Sequence, residues 1–137
     1  MLKLLRNAQV KHILTKSKRL EIRAQLESDL LQSKRELAQL TFHMQKTLKD
    51  SKLKHNEQTI RERYKKECKQ KQDQIHTLTF KLEQLGLLRE GIEVDGETVE
   101  TIVELTVGDK WVDVNRPIEI ILKDGIIQDI RESRNEK

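Results

Sequence analysis

A single cysteine, Cys68, in 137 residues excludes an internal disulfide framework and a thiol-rich metal centre. Aromatic residues are as scarce, at 3%, and hydrophobic residues reach 35% against 36% charged. Ordinary domains run at about 45–50% apolar. One large globular core is therefore not expected, nor are most enzyme pockets, which need apolar and aromatic walls. No apolar run approaches the roughly 18 residues of a membrane span. The opening Met1-Leu2-Lys3-Leu4-Leu5-Arg6-Asn7 is too short in apolar residues for a secretory leader. These absences lead us to expect a soluble, cytoplasmic protein with no membrane partner.

What is present is sharply divided. Residues 1–85 hold 20 Lys and Arg against 10 Asp and Glu, and residues 86–137 hold 7 against 13. The first stretch has no glycine or proline; the second has all five glycines, the one proline and dense Val and Ile. Such a change marks a boundary between a helical and a β segment. Charge asymmetry of this kind suits contact with something acidic, such as RNA, an anionic surface or the acidic half of a second copy. A charge-rich helix can equally be a solvated one.

In the helical segment, Leu26, Leu30, Leu37, Leu40 and Met44 fall at alternating a and d positions, with Ser33 filling one d. Tyr64, Cys68, Ile75, Leu78, Leu82 and Leu85 form a second stripe, with Lys71 at one d. Spacings of three and four place each set on one helical face, as a two-stranded seam requires. The two frames are offset by three residues within Lys49–Gln58, which fits either a stammer in one long helix or the bend of an antiparallel hairpin. Residues Ala8 to Leu14 read as a strand with Ala8, Val10 and Leu14 on one face, and Thr15 or Ser17 can cap the helix that follows. For that strand to join a sheet formed after residue 90, the chain must leave and return. We therefore expect a hairpin of two helices, each roughly 45 Å long, over one continuous helix with strand exchange between copies. Ser33, Thr47, Arg61 and Lys71 sit where Leu would stabilise most, so the seam is thin and calls for a second copy or a partner. Gly86 is expected as a left-handed cap, with Leu87 folding back.

After it, Ile92–Val99 reads as a hairpin with a two-residue Asp95-Gly96 loop, and Val107–Trp111 as a further turn. The apolar face continues through Thr101, Val103, Leu105 and Val107, with Glu100, Ile102 and Glu104 opposite. Ile118–Ile130 reads as another hairpin. A three-residue loop with Gly125 left-handed pairs Leu122 with Ile126, Ile120 with Gln128 and Ile118 with Ile130, the register with the more apolar face. Pro117 suits the first position of its strand.

No phosphate-binding loop, dinucleotide fingerprint, zinc-protease helix, C-x-x-C pair or calcium loop is present. His12, His43, His55 and His76 are scattered without ligand spacing. Cys68 has Lys65, Lys66 and Lys69 nearby, which lower a thiol pKa, but it lies on the seam as a structural cysteine would. Glu93, Asp95, Glu97, Glu100 and Glu104 could pass for catalytic carboxylates, yet alternation spreads them over two faces of a solvated sheet. The expectation is a non-enzyme with no cofactor, metal or small-molecule substrate. The candidate contact residues are Arg61, Arg63, Lys65, Lys66 and Lys69, joined by Lys46, Lys49, Lys52 and Lys54 near the hairpin tip. Together they could grip phosphates without reading sequence. Few aromatics means few platforms for stacking single-stranded bases.

Val10-Lys11-His12-Ile13-Leu14-Thr15, Glu36-Leu37-Ala38-Gln39-Leu40-Thr41-Phe42, Val107-Gly108-Asp109-Lys110-Trp111 and Leu122-Lys123-Asp124-Gly125-Ile126-Ile127 together resemble the YlqD family of Firmicutes, nearly end to end. These motifs are structural, and the family carries over no catalytic or binding residue. Its genes lie beside ribosome-maturation and RNA-binding genes, so the resemblance implies a ribosome or RNA association without a mechanism.

The reading is an α+β chain: a long antiparallel, coiled-coil-like helical hairpin on a small antiparallel β domain that includes an N-terminal strand. Residues 1–14 form that strand, 15–86 the basic hairpin and 87–137 the acidic β domain. The expected function is a scaffolding module that self-associates or docks a protein through its helices. The alternative is a ribosome or RNA accessory that binds phosphates through the hairpin tip.

Overall fold

The structure is a computed structural model, and it describes residues 1–49, 57–111 and 115–132. Four strands and two helices follow in the order β1 (Leu2–Ile13), α1 (Lys16–Leu48), α2 (Glu57–Leu87), β2 (Glu93–Leu105), β3 (Ile118–Lys123) and β4 (Ile126–Glu132). They form two compact units: residues 1–20 with 89–137, and residues 21–88.

The sheet unit has the strand order β2-β1-β3-β4. β1 is antiparallel to β2 and parallel to β3, and β3 is antiparallel to β4. The sheet is thus mixed, not antiparallel throughout as expected. The reason lies in β1: taking β3 on its second edge puts it in the interior, where Ala8, Val10 and then Leu14 are buried on one face. That face was legible from the alternation. The strand is longer than Ala8 to Leu14 because β2 offers partners back to Leu2↔Leu105. Arg6 hides this in the sequence. It interrupts the apolar alternation yet is only 5% exposed, its guanidinium donating to the Arg116 carbonyl (2.9 Å) and to Glu132 (3.2 Å).

Asp95-Gly96 is no hairpin. β2 runs straight through it, with the register slipping between Gln9↔Thr98 and Lys11↔Asp95. A β-bulge replaces the expected turn, because a twelve-residue β1 offers a far longer ladder than a short local hairpin could. Space there is tight: a Cβ on Gly96 would lie 2.7 Å from the His12 ring and 3.2 Å from the Val10 carbonyl, so a side chain would have to displace the ring. Asp124-Gly125, by contrast, is a true two-residue turn with both φ positive, 49° and 82°. The three-residue register is therefore corrected. Lys123 pairs with Ile126 and Leu122 with Ile127; a bulge at Gln128 then restores the apolar pairing of Ile120 with Ile130. Asp124 also accepts from the hydroxyls of Thr15 (2.6 Å) and Ser17 (3.2 Å), while Thr15 caps α1 by accepting from the Lys18 amide (3.1 Å).

In the helical unit, the half-buried and buried residues of α1 are Ile22, Leu26, Leu30, Ser33, Leu37, Leu40, Met44 and Thr47, with neighbours beside them. Those of α2 include Ile60, Tyr64, Cys68, Lys71, Ile75, Leu78, Leu82 and Leu85. Both stripes follow the expected spacing. Ile60 takes the position given to Arg61, whose side chain is 55% exposed and paired to Glu57. Lys71 donates to Glu36 at 2.6 Å, and the Thr47 and Tyr64 oxygens are 3.5 Å apart, so partners descend along α2 as they ascend along α1. The frame shift placed in Lys49–Gln58 falls largely on residues 50–56, outside the described residues. Gly86 is not the left-handed cap: the helix continues through Leu87, which is 76% exposed, and Gly91 carries the positive φ instead. There its amide donates to the Leu14 carbonyl (2.8 Å), a backbone partner that fixes where the chain turns.

Candidate interaction site

Charge in the sheet unit is settled strand by strand. Lys11 on β1 reaches Glu119 on β3 (3.2 Å) and Asp95 on β2 (3.9 Å). Arg131 on β4 donates to Glu119 (2.8 Å) and to Glu93 (2.5 Å). All four strands are thus tied by one alternating chain of charges. Its physical signature is in the protonation equilibria. The Arg131 guanidinium holds the Glu119 carboxyl below the usual carboxylate range, with Lys11 adding to the effect against the opposing pull of burial. Glu93 and then Glu119 hold Arg131 charged. Glu97 is lowered by its own backbone amide and then by His12, 3.5 Å away. Lys3 lies 3.9 Å from Glu104. The acids that might have passed for a catalytic group are mostly spent on β1 and β4 cations.

The C-terminal stretch keeps its excess of acids along the chain. Residues 1–20 carry six Lys and Arg and no acid, and they fold into the same unit as the C-terminal acids. The split along the chain is closed up by the fold.

The helical unit leaves more open. Arg61, Arg63, Lys65, Lys66 and Lys69 are all exposed on α2. Arg61 is held by Glu57 (2.9 Å) and Arg63 by Glu67 (3.5 Å), both one turn away. Lys65, Lys66 and Lys69 have no ion pair among the described residues. Lys46 is exposed on α1 and Lys49 just beyond its end, and Lys52 and Lys54 lie outside the described residues. Cys68 is half-buried on the inward side of α2. His43 rests its ring edge against Phe42 (6.1 Å), His76 is exposed, and His55 lies outside the described residues. Among the described residues no cluster of His, Cys, Asp or Glu could hold a metal, and no helix is long and apolar enough to cross a membrane.

Two apolar features went unnoticed in the sequence. One is an open cleft of about 410 Å³ at the end of β1 and β2, lined by Met1, Leu2, Leu105, Val107 and Trp111. The carboxylate within it, Asp109, is committed to the Thr106 amide (2.9 Å). The other is on α1, where Leu31 is 50% exposed and Leu20 and Phe42 are each 63% exposed. Their signal was a spacing of eleven, three turns of helix, overlooked beside the stronger seam of threes and fours.

The family model described as YlqD protein matches residues 2–131. Uncharacterized protein YlqD of Bacillus subtilis (strain 168) is 25% identical over 131 residues, covering 96% of this chain and 99% of that protein. A crystal structure of a protein of unknown function from Synechococcus sp. WH 8102 superposes with a TM-score of 0.83 at 21% identity. It covers 96% of this chain and 95% of the other, a likeness of fold.

Proposed function

The chain belongs to the YlqD family, and on that premise we propose that it is a non-catalytic interaction module working through its helical unit. The helices pair as an antiparallel, coiled-coil-like hairpin and dock either a second copy or a protein partner. The observation that carries this reading is what the helices leave unsatisfied. Their mutual stripe includes Ser33, Thr47, Lys71 and Tyr64, while Leu31, Phe42 and Phe80 stand 50–63% exposed outside it. Apolar side chains held in water on a helix with a thin seam are the usual mark of a surface completed by another chain. Cross-linking of the full chain in extract, with the linked peptides identified by mass spectrometry, tests it. Links from α1 or α2 to another polypeptide support the reading; links confined to one chain overturn it.

A second reading rests on Lys65, Lys66 and Lys69, exposed cations without an ion pair among the described residues. They would bind RNA or ribosomal phosphates. Six or more such contacts weaken binding about a thousandfold between 50 and 200 mM salt. Neutralising the three lysines together should flatten that dependence. Unchanged RNA affinity in the variant sinks the phosphate reading and leaves the first intact.

A further inference from the structure

The exposed stripe on α1 is symmetric in a way that names its occupant. Ala24 and Ala38 stand seven residues either side of Leu31, and Leu20 and Phe42 stand eleven either side. All five are exposed. At 100° per residue they fall within a narrow band on the side of α1 away from Leu26, Leu30 and Leu37. A two-fold axis at Leu31 between antiparallel copies of α1 sets Leu31 against itself, Ala24 against Ala38 and Leu20 against Phe42, so every position of the stripe meets an apolar one.

We infer that α1 pairs with α1 of a second copy, antiparallel, with the two-fold axis at Leu31. Leu31 meets Leu31 of the second copy, Ala24 meets Ala38, and Leu20 packs on Phe42 at each end. The contact runs for roughly 33 Å, at 1.5 Å per residue. Small side chains at 24 and 38 let the backbones approach on either side of the central leucines. This inference rests on the reading of the helices as an interaction module and specifies its partner.

The flanking charges agree. In an antiparallel pair related by such an axis, residues on the same flank face one another. Glu27 and Lys34 share a flank, four residues before Leu31 and three after it. Each therefore meets the other's counterpart, and symmetry makes the Glu27–Lys34 contact twice. Both are exposed, and neither has an ion pair among the described residues. Within one helix, positions 27 and 34 are two turns apart and too far to pair. On the opposite flank Arg35 faces Ser28, so no like charges are brought together.

Sedimentation equilibrium of the full chain, with Leu31→Glu, Glu27→Lys and the exchange Glu27→Lys with Lys34→Glu, tests the geometry. The unmodified chain should be in monomer–dimer equilibrium. Leu31→Glu, which places two carboxylates at the axis, should weaken dimerisation at least about a hundredfold, with helix content checked by circular dichroism. Glu27→Lys should weaken it about tenfold, and the exchange should return it to near the original value. In a Cys68→Ser background, Leu31→Cys should oxidise to a cross-linked dimer, whereas Ala24→Cys should do so only when mixed with Ala38→Cys. A dimer indifferent to Leu31→Glu and to Glu27→Lys overturns this pairing and leaves the broader interaction reading standing. A chain still monomeric at roughly 1 mM, enough to populate a complex of millimolar affinity, overturns the pairing too. The broader reading then rests on the cross-links to other proteins.

Discussion

Residues 1–20 and 89–137 carry thirteen Lys and Arg against thirteen Asp and Glu, whereas residues 21–88 carry fourteen against ten. The counts differ little; their disposition differs a great deal. In the sheet unit the cations of β1 meet acids that arrive more than eighty residues later, across strands that also bury Ala8, Val10 and Ile121. Among the described residues of the helical unit, Arg61 with Glu57 and Arg63 with Glu67 pair one turn apart on the same helix, worth a few tenths of a kcal/mol each, while Glu36 with Lys71 joins α1 to α2. A region that spends its charges internally is built to hold itself together. The other leaves Lys65, Lys66 and Lys69 without an ion pair among the described residues; exposed apolar side chains occur on both, Ile102, Trp111 and Ile126 on the sheet unit and Leu31, Phe42 and Phe80 on the helices.

The comparison is broken most severely at Leu14, which is fully buried. Leu14→Ala should cost about 3 kcal/mol, read from the urea midpoint. Leu40→Ala, half-buried on α1, should cost clearly less. Equal losses would mean the helical unit is as tightly packed as the sheet. Next comes Gly96→Val, which drives a branched side chain into the His12 ring and the Val10 carbonyl and should cost about 2 kcal/mol. Gly86→Ala is its control: nothing lies within 4 Å of a Cβ there, and helix propensity makes the change slightly stabilising.

The comparison can also be sharpened from the helical side. Ser33 is buried beside an open cleft of about 420 Å³ that Leu78 also lines. Ser33→Leu should fill it and raise the melting temperature, a gain of about 1.5 kcal/mol. Ala8, by contrast, is fully buried within the sheet. The smallest effect is electrostatic. Arg131 and Lys11 depress the Glu119 carboxyl, so its contribution is complete above the unfolded carboxylate value of about 4.3. It is lost as pH falls through the lower folded value. Glu119→Gln should reduce stability at neutral pH by about 1 kcal/mol and make the acid-unfolding curve shallower. An unchanged acid slope would show that the cross-strand ion chain is decorative.

Local spacing made much of this legible. The seam positions, the Thr15 cap, the buried face of Ala8, Val10 and Leu14, and the alternation from Thr101 to Leu105 all follow from periods of 3.5 and 2. What escaped was non-local. Asp95-Gly96 has the letters of a hairpin, and only the presence of β1, more than eighty residues away, makes it a bulge. Arg6 looks like a surface cation until Glu132 and the Arg116 carbonyl are brought to it. The acidic C-terminal stretch is plain along the chain, but its balance by the cations of β1 is visible only across strands. The surfaces proposed for contact were half-visible: the basic run on α2 stood out as a block, while the exposed stripe on α1 is diluted by two alanines.

The place of β1 between β2 and β3 has a consequence in time. The strand made first on the ribosome is the one needed in the middle, and its partners are made last. At about 5–20 residues per second, residue 13 waits roughly 6–22 s for residue 123, the end of β3. Helices α1 and α2, whose hydrogen bonds are local, can form during that interval, on timescales near a microsecond. The sheet cannot. Its assembly is paced by synthesis, and until then a twelve-residue strand with both edges bare is the part of the nascent chain most in need of shelter.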